Sequence, residues 1–512
     1  MKRILEVFIV LAVLTLFACN SAENTSTDIG GVAANEATDK DVLVIGLDDD
    51  PPQLDPHRSS AAVDRQTFQS LYNKLLDIDE NLEFVGELAK DWDISEDGLT
   101  YTFYLEEDVV FHDGTPFNAE AVKFNFDRML DPSFSSPRAS EVNLLEEIVI
   151  INDYEVDLVL SEPFAPFLSV LTDRAGMMVS PTAVEELGND FANQPVGTGP
   201  YKFDSRVSQS KIELSRFEDY WDELPAFEKV EIRPFADSNV RVTNLVSGDL
   251  DMLNKIAFKD IEILSNDPNI TLLEQDGIGF QGIHLNTTVE PFTQKEVRKA
   301  INLAIDREAI TNVVFHGGAI PSVSPFPPIS WAAPEFEQPN ANVEEAKKLL
   351  EEAGVSDVSF TLKINPRPEE EQMAQMIQQM LSEIGMTMNI EMVEFGTMLD
   401  QLESGDFQAV RLGWSGRIDP DGNAYRFFYS NASNNYSNFA NPTMDKLLDE
   451  ARTTVDVEAR KEIYEEISDL LWEESPYVFV YHEQDYKAMK NYVKGFRHIA
   501  DQMIRTNSIY FE

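Results

Sequence analysis

Short β-rich runs alternate with amphipathic helical segments along residues 41–512, and no segment recurs at a fixed spacing. The missing repeat argues against solenoids and propellers. The alternation does not keep the strict strand–helix–strand order of an all-parallel sheet, so we predict α/β lobes with mixed sheets. A chain of 512 residues has room for about two to four domains, or for one large fold with several lobes.

Local patterns indicate where several strands begin and end. Residues 41–47 and the alternating run 99–105 predict strands, and residues 148–160 predict a hairpin that turns at Asn152-Asp153. Further strands are expected at 229–235, 279–285, 358–364, 388–395, 407–414 and 477–483.

Polar residues with capping side chains mark the expected helix starts. Asn118 and Asn342 are each predicted to cap a helix, and Gly354 is predicted to end the second one. The sequence Thr293–Glu296 has the pattern of a capping box, which predicts one continuous helix that ends at Gly317-Gly318. Long amphipathic helices are also expected at 370–384 and 456–474.

The charge balance excludes two classes of partner. Lys and Arg number 40 and Asp and Glu number 91, so the net charge is −51. Such a chain would repel a nucleic-acid backbone, and it has no basic patch for an anionic membrane surface. With 43% hydrophobic residues the chain is not expected to be disordered. We interpret the scattered acids as a solvated surface suited to a salty or acidic medium, with cation binding as the alternative.

The N-terminus has the pattern of an export signal. Lys2-Arg3 precede an apolar run, Val7–Ala18, that is shorter than the roughly 20 residues of a membrane-spanning helix. The run ends at Cys19, the only cysteine, as in a bacterial lipobox. We predict a signal peptide at 1–18, a lipidated Cys19 and a flexible tether at 19–40, which would anchor the protein at the outer face of the cell membrane or in the periplasm. The alternative is an ordinary signal peptide with an incidental cysteine.

Catalytic motifs are absent from the sequence. No G-x-S-x-G, H-E-x-x-H or P-loop pattern is present, and the six histidines are scattered singly without metal-ligand spacing. Pairs of carboxylates carry little information because 91 acidic residues produce them by chance. We therefore predict that the protein is not an enzyme and has no cofactor or metal.

One segment carries a family signature. Residues 89–128 read AKDWDISEDGLTYTFYLEEDVVFHDGTPFNAEAVKFNFDR, with the elements A-x-x-W, S-x-D-G, Y-T-F-x-L and F-H-D-G-x-P before a helix that ends in Arg. This pattern resembles the family 5 solute-binding proteins of ABC importers, the oligopeptide-, dipeptide- and nickel-binding group. Further elements match at 195–203, 245–251 and 297–310, so the resemblance covers about 41–512.

The resemblance implies a two-lobed periplasmic-binding-protein-like fold (type II, cluster C) of α/β class, with mixed sheets and an extra subdomain. It places the first lobe at 41–275 plus 485–512, its subdomain at about 76–181 and the second lobe at 276–484. The chain is then expected to cross between the lobes near 275–282 and 481–486.

The implied function is transport. A protein of this kind captures a peptide or peptide-like solute between its lobes, as a monomer, and delivers it to a permease pair driven by an ATPase. It does no chemistry itself. Two alternatives stay open: a secreted acidic hydrolase, and a metal-chelate or haem receptor on the same fold.

The resemblance also points to the segment after Trp414. In peptide binders, an aspartate three residues after this tryptophan takes the ligand's amino terminus, but here that position is Arg417. A cation there would repel a free α-amino group. Arg417 is expected either to hold a carboxylate or to pair locally with Asp419 or Asp421. A local shift that lets Asp419 bind the amine is a third interpretation.

Other candidate contacts follow from position. Gly413 and Ser415 flank Trp414 in the stretch that gives main-chain contacts in peptide binders. Asn286 lies at an expected strand end that meets the cleft, and Asp50 follows the first strand. We predict that these residues, together with Trp414, Arg417 and Asp419, contact the ligand.

Overall fold

The structure is a computed structural model that describes residues 41–335 and 340–512. The predicted signal peptide, Cys19 and the tether lie outside the described residues. Across the described part of the chain, no helix combines the length and the apolar character that crossing a membrane would require.

The strands are given in chain order: β1 Val42–Leu47, β2 Leu76–Ile78, β3 Phe84–Gly86, β4 Ala89–Ile94, β5 Thr100–Leu105, β6 Leu145–Asn152, β7 Glu155–Leu160, β8 Tyr201–Val207, β9 Lys211–Arg216, β10 Lys229–Pro234, β11 Met252–Leu253, β12 Ile270–Asp276, β13 Gln281–Leu285, β14 Ala319–Pro321, β15 Ser359–Ile364, β16 Thr387–Met392, β17 Ala409–Arg411, β18 Tyr477–Lys490, β19 Val493–Lys494 and β20 Tyr510–Phe511.

The helices are α1 Asp64–Leu71, α2 Ala119–Leu130, α3 Phe167–Val170, α4 Pro181–Leu187, α5 Ser238–Ser247, α6 Ile261–Ser265, α7 Lys295–Ala304, α8 Arg307–Val314, α9 Val343–Glu352, α10 Pro368–Glu383, α11 Phe395–Ser404, α12 Asp421–Phe428, α13 Pro442–Thr453 and α14 Val457–Glu474.

Two predicted helix starts are confirmed by their hydrogen bonds. The side chain of Asn118 accepts from the N–H of Ala121 at the start of α2, and the side chain of Asn342 accepts from the N–H of Glu345 at the start of α9. Each bond satisfies a backbone donor that has no partner within its own helix. The predicted hairpin is formed by β6 and β7, and it turns at Asp153-Tyr154, one residue later than predicted.

The single helix predicted from Thr293 to Gly317-Gly318 is wrong. The hydroxyl of Thr293 donates to Glu290 at 2.6 Å, and α7 begins at Lys295 without a side-chain cap. The chain leaves the helix after Ala304, and Asp306 caps a second helix, α8. The buried guanidinium of Arg307 explains the break, because it donates to two backbone carbonyls at the end of α7, those of Asn302 and Ile305.

The long strand β18 pairs with two different sets of strands. Its first part, Tyr477–Tyr481, pairs antiparallel with β13, and its second part, Gln484–Lys490, pairs antiparallel with β12. Twelve strands are thereby joined in the order β16-β15-β17-β13-β18-β11-β1-β10-β9-β8, with β12 and β14 also bonded to β18. We call β1 and β8–β12 the first-lobe sheet and β13–β17 the second-lobe sheet.

Both sheets are mixed, as predicted. In the first-lobe sheet β1 is parallel to β10 while β10 is antiparallel to β9. In the second-lobe sheet β15 is parallel to β16 while β13 is antiparallel to β17. A separate antiparallel sheet has the order β4-β5-β7-β6 and packs against α2 through a core of its own that includes Phe103, Phe126 and Leu158.

Separate hydrophobic clusters stabilise the lobes. Leu43, Phe68 and Val230 belong to the core of the first-lobe sheet. Ile301, Leu362 and Ile377 belong to the core that joins the second-lobe sheet to its helices. The apolar side chains of each cluster are buried by residues of the same cluster. The lobes are therefore separate packing units that are connected by few segments.

Candidate functional site

A cavity of about 200 Å³ lies between the two lobes. Its walls are formed by Arg65 and by residues within 140–144 and 164–173 on one side, and by Ile278, residues within 416–426 and Arg452 on the other. A concave space lined by both lobes is the arrangement expected of a small-molecule site that hinge motion opens and closes.

The loop between β17 and α12 forms one wall and lies on the segment that connects the lobes. The backbones of Trp414 and Phe280 exchange two hydrogen bonds, of 2.8 and 3.0 Å. Gly416 has φ +86°, and a Cβ at this position would lie 2.1 Å from the carbonyl oxygen of Ile278. Only glycine therefore allows the loop to approach the connecting segment this closely.

Asn423 of α12 holds the loop and the connecting segment together. Its Oδ1 accepts from the backbone N–H of Arg417 at 2.8 Å, and its Nδ2 donates to the carbonyl of Ile278 at 2.9 Å. Asn423 is buried, so both bonds are shielded from water. The position of Arg417 is thus fixed relative to the segment about which the lobes would move.

Arg417 lines the cavity and is half-buried. Its Nη1 donates to the carbonyl of Gly416 at 2.7 Å, and its guanidinium lies over the ring of Trp414 at 4.5 Å from the centroid. Burial lowers the pKa of Arg417 to about 10, although the charges of Asp173 and Glu141 act in the opposite direction. The side chain therefore remains a cation at neutral pH.

The two nearby aspartates bind other arginines. Asp419 accepts hydrogen bonds from Arg460 at 2.7 and 2.9 Å, and Asp421 accepts from Arg452 at 2.7 and 3.0 Å. Within the described residues, Arg417 makes no ion pair with either aspartate. The structure therefore does not contain the predicted local ion pair between Arg417 and Asp419 or Asp421.

The acids on the first-lobe side are also paired. Asp173 lies 2.9 Å from Arg65, and Glu141 lies 2.5 Å from Arg138. Burial raises the pKa of Asp173, but the charges of Arg65 and other arginines outweigh burial and hold that pKa well below its usual range. Asp173 is consequently an anion at neutral pH.

A second arginine, Arg426 of α12, accompanies Arg417. Its guanidinium lies 5.4 Å from the centroid of the Trp414 ring, and it lines the same cavity. In the part of the chain that the structure describes, no carboxylate lies within ion-pair distance of Arg426. Trp414 therefore supports two cations at the cavity wall.

The lobes contact each other beside the cavity. The N–H of Ala165 donates to the carbonyl of Arg452 at 2.9 Å. The guanidinium of Arg452 also lies over the rings of Tyr425, at 3.3 Å, and Phe164, at 5.3 Å. These contacts join a first-lobe loop to α13, and Phe164 and Arg452 both line the cavity.

The predicted site residues fall into two groups. Arg417 and Asp419 line the cavity, and Trp414 lies behind Arg417 with its indole nitrogen lacking a hydrogen-bond partner among the described residues. Gly413 and Ser415 belong to the same loop, and a Cβ at Gly413 would overlap the side chain of Gln281. These five residues are brought together by the loop after β17.

Asn286 and Asp50 occupy other places. The amide of Asn286 donates to the carbonyl of Phe407 at 3.1 Å, and the residue lines a separate cavity. Asp50 accepts from the N–H of Gln209 at 2.9 Å and pairs with Arg206 at 3.1 Å. Both side chains hold local structure, and a ligand contact by either one stays a prediction.

The histidines are dispersed. No group of three or more His, Cys, Asp or Glu residues within 41–335 and 340–512 is arranged to hold a metal ion. Burial is the main cause that lowers the pKa of four histidines, to about 4 for His57, His112 and His482 and to about 3 for His284. These four are neutral at physiological pH.

Sequence reasoning missed Arg65, Asp173, Arg426 and Arg452. Arg65 and Asp173 are separated by 108 residues in the chain, so no local pattern relates them. Arg426 follows Arg417 by nine residues, on the next helix. A search for arginines on the helix that follows the Trp414 loop would have found it.

Comparison with known proteins identifies the relatives of this chain. The model of the bacterial extracellular solute-binding proteins, family 5 Middle, matches residues 83–436. The chain is 30% identical over 478 residues to the glutathione-binding protein GsiB of Salmonella typhimurium, covering 91% of this chain and 93% of that protein.

Solved structures share the fold. DppA of Helicobacter pylori, an ABC transporter-associated periplasmic binding protein in complex with the peptide STSA, superposes with a TM-score of 0.79 and 27% identity, over 92% of this chain and 98% of that one. The substrate-binding protein CtaP of Listeria monocytogenes has a TM-score of 0.85 over 92% of this chain and 99% of that one. At 24% identity, CtaP supports the fold alone.

Proposed function

The chain belongs to the family 5 bacterial extracellular solute-binding proteins and is a substrate-binding component of an ABC importer, and we propose that it captures a small peptide or peptide-like solute in the cavity between its lobes. The observation that carries this proposal is the cavity itself, whose walls come from both lobes. GsiB is named for glutathione and DppA was solved with a peptide, which supports a peptide-like ligand.

The lobe limits predicted from sequence are part of the proposal. A change of partner along β18, between Tyr481 and Gln484, supports a crossing in that segment. The connection from Asp276 to Gln281 runs beside it and supports the other crossing. A hinge at these two places would let the lobes separate while each keeps its own core.

Delivery and location complete the proposal. The loaded protein would dock, as a monomer, on a permease pair that an ATPase drives, and it would carry out no chemistry. A lipid on Cys19 would keep it at the outer face of the cell membrane or in the periplasm. An acyl anchor with more than one chain holds a protein at a membrane stably.

Binding and turnover can be measured on the same samples. We expect calorimetry against di- and tripeptides and glutathione to give saturable binding, with a raised midpoint of thermal unfolding. Mass spectrometry of each mixture should recover the ligand unchanged. Turnover of any ligand would favour the secreted hydrolase instead, and binding that a chelator abolishes would favour the metal-chelate receptor. Failure to bind any member would contradict a peptide ligand.

A further inference from the structure

The charges on the cavity walls do not cancel. Four carboxylates line the cavity, and each has an arginine at 2.5 to 2.9 Å. The pairs are Asp173 with Arg65, Glu141 with Arg138, Asp421 with Arg452 and Asp419 with Arg460. Their negative charge is therefore already compensated by protein side chains.

Two lining cations have no such partner. Arg417 and Arg426 both lie over Trp414, at 4.5 and 5.4 Å from its ring centroid. Neither has a carboxylate within ion-pair distance among the residues that the structure describes. A protein with a net charge of −51 has abundant acids to pair them, so two uncompensated cations at one cavity are a specific feature of this site.

We propose that Arg417 and Arg426 form a carboxylate subsite, so that the ligand is a short peptide-like anion whose carboxylate lies against these two arginines. The inference rests on the proposed function and specifies its ligand class. Guanidinium groups present parallel N–H donors that match the two oxygens of a carboxylate. An α-amino group at the same place would meet two cations and is disfavoured.

The surroundings strengthen this recognition. Each guanidinium group lies over the Trp414 ring, and partial burial reduces the solvent screening of their charges. The bond from the Arg417 N–H to Asn423 fixes the backbone from which one of the arginines extends. The backbone of Arg417 is thus fixed before a ligand arrives, which reduces the ordering cost of binding.

The cavity also limits the size of the ligand. Its volume of about 200 Å³ is below the range of roughly 300–1,000 Å³ typical of pockets for drug-sized molecules. In this arrangement of the lobes, a small solute fits better than a long peptide. Size and charge together favour a small solute with an exposed carboxylate.

The test compares each peptide with its uncharged form. Calorimetry on the purified protein uses di- and tripeptides and glutathione, each as the free acid and with its carboxylates converted to amides or ethyl esters. We expect at least a tenfold weaker affinity for the capped forms, since a hydrogen bond to a charged group is worth about 1.5–3 kcal/mol. Raising the salt concentration should weaken binding of the free acids more than that of the capped forms.

Variants assign the effect to the two arginines. Arg417→Ala and Arg426→Ala are each expected to weaken binding of the free acids about tenfold and to leave the capped forms unchanged. Arg417→Lys keeps the positive charge but loses the paired N–H donors of the guanidinium. The affinity of this variant for the free acids should therefore lie between those of wild type and Arg417→Ala. The matched control is Arg497→Ala, because Arg497 is an exposed arginine 3.9 Å from Glu80 and lines no part of the cavity.

The outcomes separate the subsite from the function. Two results would overturn the subsite and leave solute binding intact. One is an equal affinity of the wild-type protein for the free and the capped peptides. The other is an unchanged affinity for the free acids in both Arg417→Ala and Arg426→Ala. A wild-type protein that binds no member of the panel would overturn the proposed function and, with it, the subsite. If Arg417→Ala unfolds, Arg426→Ala gives the same test, because the Arg426 side chain donates no hydrogen bond within the described residues.

Discussion

Arg460 donates two hydrogen bonds to Asp419, from Nη1 at 2.9 Å and from Nη2 at 2.7 Å, and both side chains are buried. Arg460 also donates to the carbonyl of Ala451, so it connects α14 to the end of α13 and to the cavity wall. Because Arg460 balances the negative charge of Asp419, this aspartate does not act as a counterion for Arg417.

Replacing Arg460 by Met should destabilise the protein strongly. The substitution leaves Asp419 buried without its cation, and the loss of one partner of a buried pair typically costs about 3–5 kcal/mol. Urea unfolding measures the change. The control is Lys461→Met at the next position, whose ion pair with Glu335 is exposed and should contribute little. A double variant, Arg460→Met with Asp419→Leu, should recover part of the loss. A double variant less stable than Arg460→Met would contradict the explanation.

Gly416→Ala should weaken ligand binding as well as stability. A Cβ at Gly416 would overlap the carbonyl oxygen of Ile278, whereas at Gly405, which also has a positive φ, nothing lies within 4 Å of the added atom. Gly405→Ala is therefore the matched control for backbone strain, which costs roughly 1–2 kcal/mol. Unfolding and calorimetry should give a larger loss for Gly416→Ala and a reduced affinity in that variant alone. Equal effects in the two variants would rule out the close approach as the cause.

His482 should make stability depend on pH. Its Nδ1 donates to the carbonyl of Gly279 at 2.7 Å, and burial lowers its pKa from 6.5 to about 4. Below pH 6.5 the unfolded chain takes up a proton that the folded protein binds only near pH 4, so folding stability falls as the pH decreases through this window.

A His482→Gln variant measures this contribution. The free energy of unfolding of wild type should fall by about 1.4 kcal/mol per pH unit more than that of the variant, and by about 3 kcal/mol across the whole window. Above pH 6.5 and below pH 4 the difference between the two proteins should be constant. Urea unfolding at several pH values gives both curves, and parallel curves between pH 6.5 and 4 would refute the assignment.

Cys19→Ser should release the protein from the membrane. The substitution removes the thiol to which the lipid would be attached, and within residues 41–335 and 340–512 no helix is long and apolar enough to cross a membrane. Fractionation of cells that produce either form should move the protein from the membrane to the soluble fraction. Ser21→Ala serves as the control and should stay with the membrane. Unchanged fractionation of Cys19→Ser would exclude lipid anchoring at this residue.

Local determinants of the fold were predictable from sequence. Asn118 and Asn342 cap the expected helices, because a cap depends on a side chain and the few residues that follow it. The full length of β18 was not predicted. Its second part contains Asp485 and Lys487, which are buried but bonded to each other at 2.5 Å. Polar residues that satisfy one another inside a sheet conceal the strand from a hydrophobicity pattern.

The cavity could be predicted only in part. Arg417 stands out in the sequence because it replaces an expected aspartate. Its lack of a counterion depends on Asp419 and Asp421 being taken by Arg460 and Arg452, each more than 30 residues away. Such competition among charges is a property of the folded arrangement, so spacing along the chain does not reveal it.

The strand shared by the lobes has a consequence for the order in which the chain can fold. The first-lobe sheet needs Gln484–Lys490, because β11 and β12 both pair with that part of β18. These residues follow every other strand of the second lobe in the chain. During synthesis, the pairing of β11 and β12 with β18 can therefore form only after almost the whole polypeptide has been made. A chain truncated before Tyr477 would leave both lobes without a strand, so neither half is expected to be an independent folding unit.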